Sequence, residues 1–294
     1  MRFTLRQLEV FVAVAQHESV SRAARVLSLS QSAASTALAE LERQFDALGF
    51  QLLPKAVALL DRAEEVEELL RGRQGIGTLD VGATLTIGNY LATLLIGDFM
   101  QRFPGSRVRL AVRNTRAIIE GVRHHELDLG LIEGHCEAED VITQPWVEDD
   151  LAVFCAPGHP LASAGPVELE RLLREAWIMR EEGSGTRMTL EQAARRRRGR
   201  FNILLELEHT EGIKRAVESG LGIGCVSKLA LRDAFRRGSL APIETPELDL
   251  GRQFAFIWHR HKYLAPGMRE FLKLCRQMTE GITRSDQIEL PPVP

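Results

Sequence analysis

Two sets of short polar side chains have the types and spacing to do chemistry. Ser30, Gln31, Ser32, Ser35 and Thr36 cluster at the start of a candidate helix, and Ser21 and Arg22 open a shorter one before it. Small hydroxyls, an amide and a guanidinium in such a cluster suit phosphate oxygens and base edges. The second set lies where strand-like runs give way to helix-like ones: Thr84 and Thr86, Asn114 and Thr115, the loop Gly183-Ser184-Gly185-Thr186, and Thr210 after His209. Helix starts carry orphan N–H groups and the positive end of the helix dipole, so several aimed at one place favour an anion. Taken singly, each Ser or Thr reads equally well as a helix cap. Only their convergence makes a candidate site.

The elements that would hold the first set read as a helix-turn-helix over residues 19–45. Ala23, Ala24 and Leu27 form a short apolar stripe with Ser21 as its expected cap. Ser30 is placed to cap the next helix, whose stripe is Ala34, Leu38, Leu41 and Phe45 at helical period. Small residues at 23, 24, 33 and 34 allow a close crossing, and the polar face is left for a major groove. A plain alanine-rich helical bundle is the competing interpretation. The preceding helix opens on a capping-box pattern, Thr4 and Gln7, and presents Leu5, Leu8, Phe11, Val12 and Ala15 as an apolar face. Within residues 1–46, five arginines are matched by Glu9, Glu18, Glu40, Glu42 and Asp46, so this unit carries no net charge. That is weak for a surface meant to neutralise phosphates.

The run LRQLEVFVAVAQHESVSRAARVLSLSQSAASTALAELERQF closely resembles the N-terminal domain of LysR-type transcriptional regulators, and the resemblance continues along the whole chain. It implies a winged helix-turn-helix, a long dimerisation helix and a two-lobed α/β effector domain like a periplasmic binding protein. Such regulators carry a basic wing hairpin after the recognition helix, whereas here Phe45-Asp46 runs straight into Ala47-Leu48-Gly49. Omission of an exposed basic hairpin from the sequence would account for the missing positive charge; a true deletion would put strong DNA binding in doubt. The resemblance also places Thr84, Thr86, Glu133 and the Gly183–Thr186 loop around an effector, with Asn114, Thr115 and Thr210 as weaker additions. The segment LIEGHC (131–136) resembles a subgroup linked to sulfur and iron metabolism, for which oxyanions such as sulfite or sulfate are candidate effectors. Implied partners are double-stranded promoter DNA, the effector, a second copy of the chain as homodimer or homotetramer, and RNA polymerase.

Composition bounds the rest. A chain of 294 residues with 45% hydrophobic residues is long enough for about two domains with real cores. A net charge of −3 argues against a nucleic-acid coat protein or an anionic-membrane binder. The opening MRFTLRQLEV is unlike a signal peptide, and no apolar run approaches the ~18 residues of a membrane span, so a cytoplasmic protein without a membrane is expected. The cysteines at 136, 155, 225 and 275 lack CxxC spacing, so neither disulfides, zinc nor another cofactor is expected. No nucleophile elbow, HExxH or Walker loop supports an enzyme, although a small-anion enzyme or a plain ligand-binding protein in the same α/β cleft is the alternative.

Between the two regions, Leu52, Ala56, Leu59, Ala63, Val66 and Leu70 recur in steps of four and three, a heptad seam with charged flanks. A second copy is the expected cover, with Pro54 marking the helix start or a kink. The expected organisation is a DNA-binding unit over 1–46, a linker helix over 47–71, a hinge over 72–77 containing three glycines, and an effector domain over 78–294. Strand-like runs alternate with helical ones in that domain, which predicts parallel sheets in two lobes. The family resemblance implies lobe I over 78–149 and 253–280 and lobe II over 150–252. Cys136 reads as structural before redox-active, Arg195–Arg198 as a solvated helix end, and GLGIG (220–224) as a tight turn.

Overall fold

The computed structural model describes residues 3–43, 49–70, 77–195 and 200–289. Its N-terminal unit contains α1 (Leu5–His17), α2 (Val20–Val26) and α3 (Gln31–Glu42), followed by the long α4 (Gly49–Leu70). Thr4 and Gln7 close the expected capping box: Gln7 N donates to Thr4 Oγ1 at 3.2 Å, and Thr4 N donates to Gln7 Oε1 at 2.8 Å. Ser30 caps α3 by accepting from Ala33 N at 3.1 Å. The cap of α2 differs from expectation. Val20 is already helical and half-buried against Val10, Ala24 and Ala34, so the helix starts earlier and Ser19, not Ser21, accepts from Arg22 N.

Helix α1 is buried on two sides. Val10 meets Ala24 and Ala34, whereas Leu8 and Val12 join Leu41, Ala56 and Val57. Leu5, expected inside, is 44% exposed, and Val10 and Ala13 are buried instead. A single apolar face cannot serve two neighbours, and that is why the simple stripe missed them. The seam on α4 is divided in the same way. Ala56 is buried and Leu52 half-buried against α1, while Leu59 and Val66 are 41% and 54% exposed. Pro54 lies within α4 and does not start it. The junction 44–48, where a wing would stand, and the glycine-rich segment 71–76 lie outside the described residues, as do Phe45 and most of the arginine run after Arg195.

The C-terminal domain follows the sequence β1 (Thr78–Ala83), α5 (Leu85–Ile87), a π-helical turn (Gly88–Ala92), α6 (Thr93–Arg102), β2 (Arg107–Val112), α7 (Thr115–Arg123) and β3 (Leu129–Glu133). Next come β4 (Val141–Cys155), α8 (Leu169–Arg174), β5 (Ala176–Arg180), α9 (Gly185–Arg195), β6 (Asn202–Leu207), α10 (Thr210–Glu218), β7 (Ile223–Ser227) and α11 (Lys228–Arg237). The chain then forms β8 (Ala241–Ile243), β9 (Gly251–His259) and α12 (Pro266–Met278). Strand order is β2-β1-β3-β9-β4-β7-β5-β6, with β8 on β4.

Pairing is parallel within each lobe, as expected for β1 with β2 and β3, and for β5 with β6 and β7. The exception is the pair that joins the lobes: β4 and β9 run antiparallel to each other from Val141–His259 to Asp150–Gly251, and antiparallel to their other neighbours. The first half of β4 was not legible because Pro145 breaks its pattern. A bulge between Pro145 and Val147 follows, with Trp146 as the extra residue. Helix α11 follows β7 with no turn signal other than Ser227, which caps it. Lobe I packs around Phe99, Phe254 and Phe271, and lobe II around Trp177 and Phe154.

Leu8 links α1 to α3 and α4 and is 1% exposed. Replacing it by alanine should cost about 2–5 kcal/mol of N-terminal unit stability in a denaturant titration. A cost below about 0.5 kcal/mol would contradict this packing.

Candidate functional site

The polar edge of α3 is open to solvent. Ser30, Gln31, Ser32, Ser35 and Thr36 are exposed, as is Arg22, while Ala34 and Leu41 on the other side are buried. Ser21 is half-buried in the first turn of α2. Ser30 Oγ is engaged by Ala33 N and sits 3.0 Å from Ser32 Oγ, so its hydroxyl serves the cap first.

The second set converges between the lobes, with a carboxylate at its centre. Glu133, at the end of β3, is 2% exposed. Thr86 N donates to its Oε1 at 2.7 Å, and Thr186 Oγ1 donates to its Oε2 at 3.3 Å. Thr115 Oγ1 accepts from Gly185 N at 3.1 Å and lies 3.3 Å from the Glu133 carbonyl oxygen. Arg116 N donates to Gly183 O at 3.1 Å across the same gap. Thr84 bonds the Leu131 carbonyl, and Asn114 caps α7 by accepting from Ala117 N. A Cβ on Gly185 would collide with the Glu133 carbonyl oxygen, so only glycine permits this approach of the lobes.

Arg252, the second residue of β9, completes the site and was not among the expected residues. Its guanidinium is 2% exposed and spans two carboxylates, Glu133 at 2.8 Å through Nη1 and Asp149 at 2.7 Å through Nε. Nη1 also donates to Thr186 Oγ1 at 2.9 Å, and Nη2 reaches Thr86 Oγ1 at 3.5 Å. Burial by itself would raise both carboxyls. At Glu133 the Arg252 and Arg180 guanidinia and the Thr86 hydrogen bonds outweigh burial and hold it below the ordinary range. At Asp149 burial wins, and its carboxyl is raised even though Arg252, Ser227 and Ser285 contact it. The one available hint in sequence was a charge opening an otherwise apolar strand, RQFAFIWHR, at the return between lobes.

Thr210 is buried at the start of α10, outside the hydrogen-bonded group around Glu133. Its neighbour Glu211 accepts from Tyr90 Oη at 2.8 Å and from Lys214 Nζ at 2.7 Å, a second contact between the lobes. Ser184 is buried beside Gly185. Among the described residues no group of His, Cys, Asp and Glu is arranged to hold a metal, and no helix is long and apolar enough to cross a membrane. Cys136 is half-buried against Ile118 and Val122.

An exposed helix-turn-helix edge joined to a two-lobed α/β domain with a polar cleft defines a ligand-responsive DNA-binding regulator. Two protein-family models cover the chain: the bacterial regulatory helix-turn-helix protein, lysR family, over residues 5–59, and the LysR substrate binding domain over 72–280. The chain therefore belongs to the LysR family of transcriptional regulators and is not an enzyme. It is 39% identical over 289 residues to the HTH-type transcriptional regulator YeiE of Escherichia coli K12, covering 94% of this chain and 98% of that one. Among solved structures it is similar to the regulatory domain of Synechocystis PCC6803 CcmR in complex with 2-PG, at 30% identity and TM-score 0.66, over 71% of this chain and all of that one. A full-length OxyR variant of Pseudomonas aeruginosa shares the fold, at 23% identity and TM-score 0.70 over 94% of each chain.

Replacing Arg252 by methionine should destabilise the C-terminal domain by about 3–5 kcal/mol, because it strands Glu133 and Asp149 as buried charges. Adding Glu133→Gln to Arg252→Met should recover part of that loss in thermal unfolding; no recovery would mean the two side chains do not share an interaction.

Proposed function

We propose that this regulator responds to a small oxyanion, such as sulfite or sulfate, taken up between the lobes at Thr84, Thr86, Ser184 and Thr186. The observation that carries the proposal is the convergence of Thr86 N, Thr186 Oγ1 and Arg252 Nη1 on one carboxylate. Those donors form a receptor for an anionic group, and Glu133 now fills it from within the chain. An arriving oxyanion competes with Glu133 for these donors, with Asn114, Thr115, Gly183, Gly185 and Thr210 shaping the surrounding walls. Because β4 and β9 join the lobes, a change in which donors face which acceptor alters the angle between them. The ligand acts only to the extent that it prefers one angle over the other.

The response reaches DNA through a dimer in this proposal. The exposed Leu59 and Val66 stand one heptad apart on α4, and the same surface of a second copy covers them, pairing two α3 edges across a twofold axis. Gln31, Ser32, Ser35 and Thr36 then face base edges and phosphates, with Arg22 and Ser21 at the flanking backbone.

Promoter-fragment binding at two salt concentrations tests the assignment. The Gln31→Ala and Ser35→Ala proteins should each lose about tenfold in affinity for the specific site, which corresponds to about 1–3 kcal/mol per base contact, while binding to random DNA changes little. Equal losses on both DNAs would remove these residues as base readers. Sulfite or sulfate should shift wild-type promoter binding and leave that of Thr186→Val unchanged; identical shifts would place the anion elsewhere.

A further inference from the structure

Away from the cleft, His125, His259 and His261 gather where the N-terminal unit touches the C-terminal domain. His125 follows α7 in the left-handed region, with φ 58°. Its ring lies 4.1 Å from that of His259, and the His261 ring lies 5.7 Å from His259. His125 is 9% exposed, and its buried Nδ1 has no hydrogen-bond partner. His259 Nδ1 accepts from His261 N at 3.1 Å. The carbonyl oxygen of His125 accepts from Gln16 Nε2, on α1, at 2.7 Å. A second tie between the two parts lies close by, with the Arg62 guanidinium of α4 4.3 Å from the centre of the Tyr263 ring.

The surroundings offer little to a charged imidazole. From the end of α7 come Arg123, His124 and Glu126, and from the end of β9 come Arg260, His261 and Lys262. Helix α1 supplies neutral Gln16, followed by His17 and Glu18. Asp140 is held by Arg123 at 3.0 Å, and Asp128 by Lys262 at 2.7 Å, so both nearby aspartates already have partners, and the pull of Asp140 on His259 is outweighed by burial.

We propose that protonation of the His125–His259 pair releases the DNA-binding unit from the C-terminal domain, making the regulator acid-sensitive at this contact. Burial, followed by the like charges of His259 and Lys262, pushes His125 down to about 4, and burial lowers His259 as well. The docked form therefore holds the rings neutral. Release exposes the ring to water and relieves the burial part of that shift while His259 and Lys262 stay beside it, so a released His125 binds a proton more readily than the docked one. Acid thus favours release within the window from pH 6.5 down to about 4. For one such ring the release equilibrium grows by at most about tenfold between about pH 7.5 and 5.5.

Hydrogen exchange of the full chain at those two pH values tests this, read at the last turn of α1 and at residues 124–127. The His125→Asn variant keeps a residue tolerant of the left-handed region and the backbone carbonyl that Gln16 uses. Dividing wild-type by variant rates at each pH cancels the chemical exchange rate in α1, and at 124–127 each rate is first divided by that of the matching unstructured peptide. The ratio should rise at both segments on acidification, by up to about tenfold. A flat ratio, or a rise at 124–127 with none in α1, overturns the proposal. Gln16→Ala supplies a separate arm, should the first variant not fold: with the tie gone, exchange in α1 should be raised at the higher pH and lose its excess pH response. A pH response of wild-type size in that variant overturns the proposal equally.

Discussion

A guanidinium buried between two carboxylates is the constraint on which the C-terminal domain depends. Taking Arg252 out of water costs several kcal/mol, and only close, well-directed partners offset it. Glu133 comes from lobe I, Asp149 from the strand that crosses between lobes, and Thr186 from lobe II, so one side chain needs both lobes in place. Asp149 is itself fixed by the Ser227 and Ser285 hydroxyls, which connect the site to β7 and to the segment after α12. Few placements of the lobes satisfy all these groups together. A site with that property is sensitive to any ligand that changes which donor meets which acceptor.

The N-terminal unit solves a different problem. Three short helices enclose too little apolar surface to stand alone, and α1 answers by packing on both sides. Val10 holds α2 and α3, and Leu8 and Val12 hold α4, so the orientation of the α3 polar edge is set by the long helix. Through the Gln16–His125 bond the same α1 meets the C-terminal domain. One helix thus links the polar edge of α3, the long α4 and the C-terminal domain.

Much of this was legible in the sequence, where local rules govern. The capping box at Thr4 and Gln7, the cap at Ser30, the buried Ala34 and Leu41, and α12 all follow from short-range patterns. The convergence of Thr86, Thr115, Gly185 and Thr186 was legible because strands in such folds end on one side. What escaped was long-range. Arg252 lies more than a hundred residues from Glu133, and nothing in its neighbours names that partner. The antiparallel pairing of β4 and β9 was hidden by Pro145, and the cap of α2 shifted from Ser21 to Ser19 because tertiary packing of Val20 extended the helix.

Calorimetric titration of the full-length protein with sulfite, set beside the same titration of Arg252→Lys, tests the central claim most directly. A lysine keeps the charge but cannot reach Glu133, Asp149 and Thr186 at once. The wild-type chain should bind saturably, and the variant should bind at least about tenfold more weakly at unchanged fold, once the bidentate fork is lost. Equal affinities in the two proteins would contradict a receptor built around Arg252.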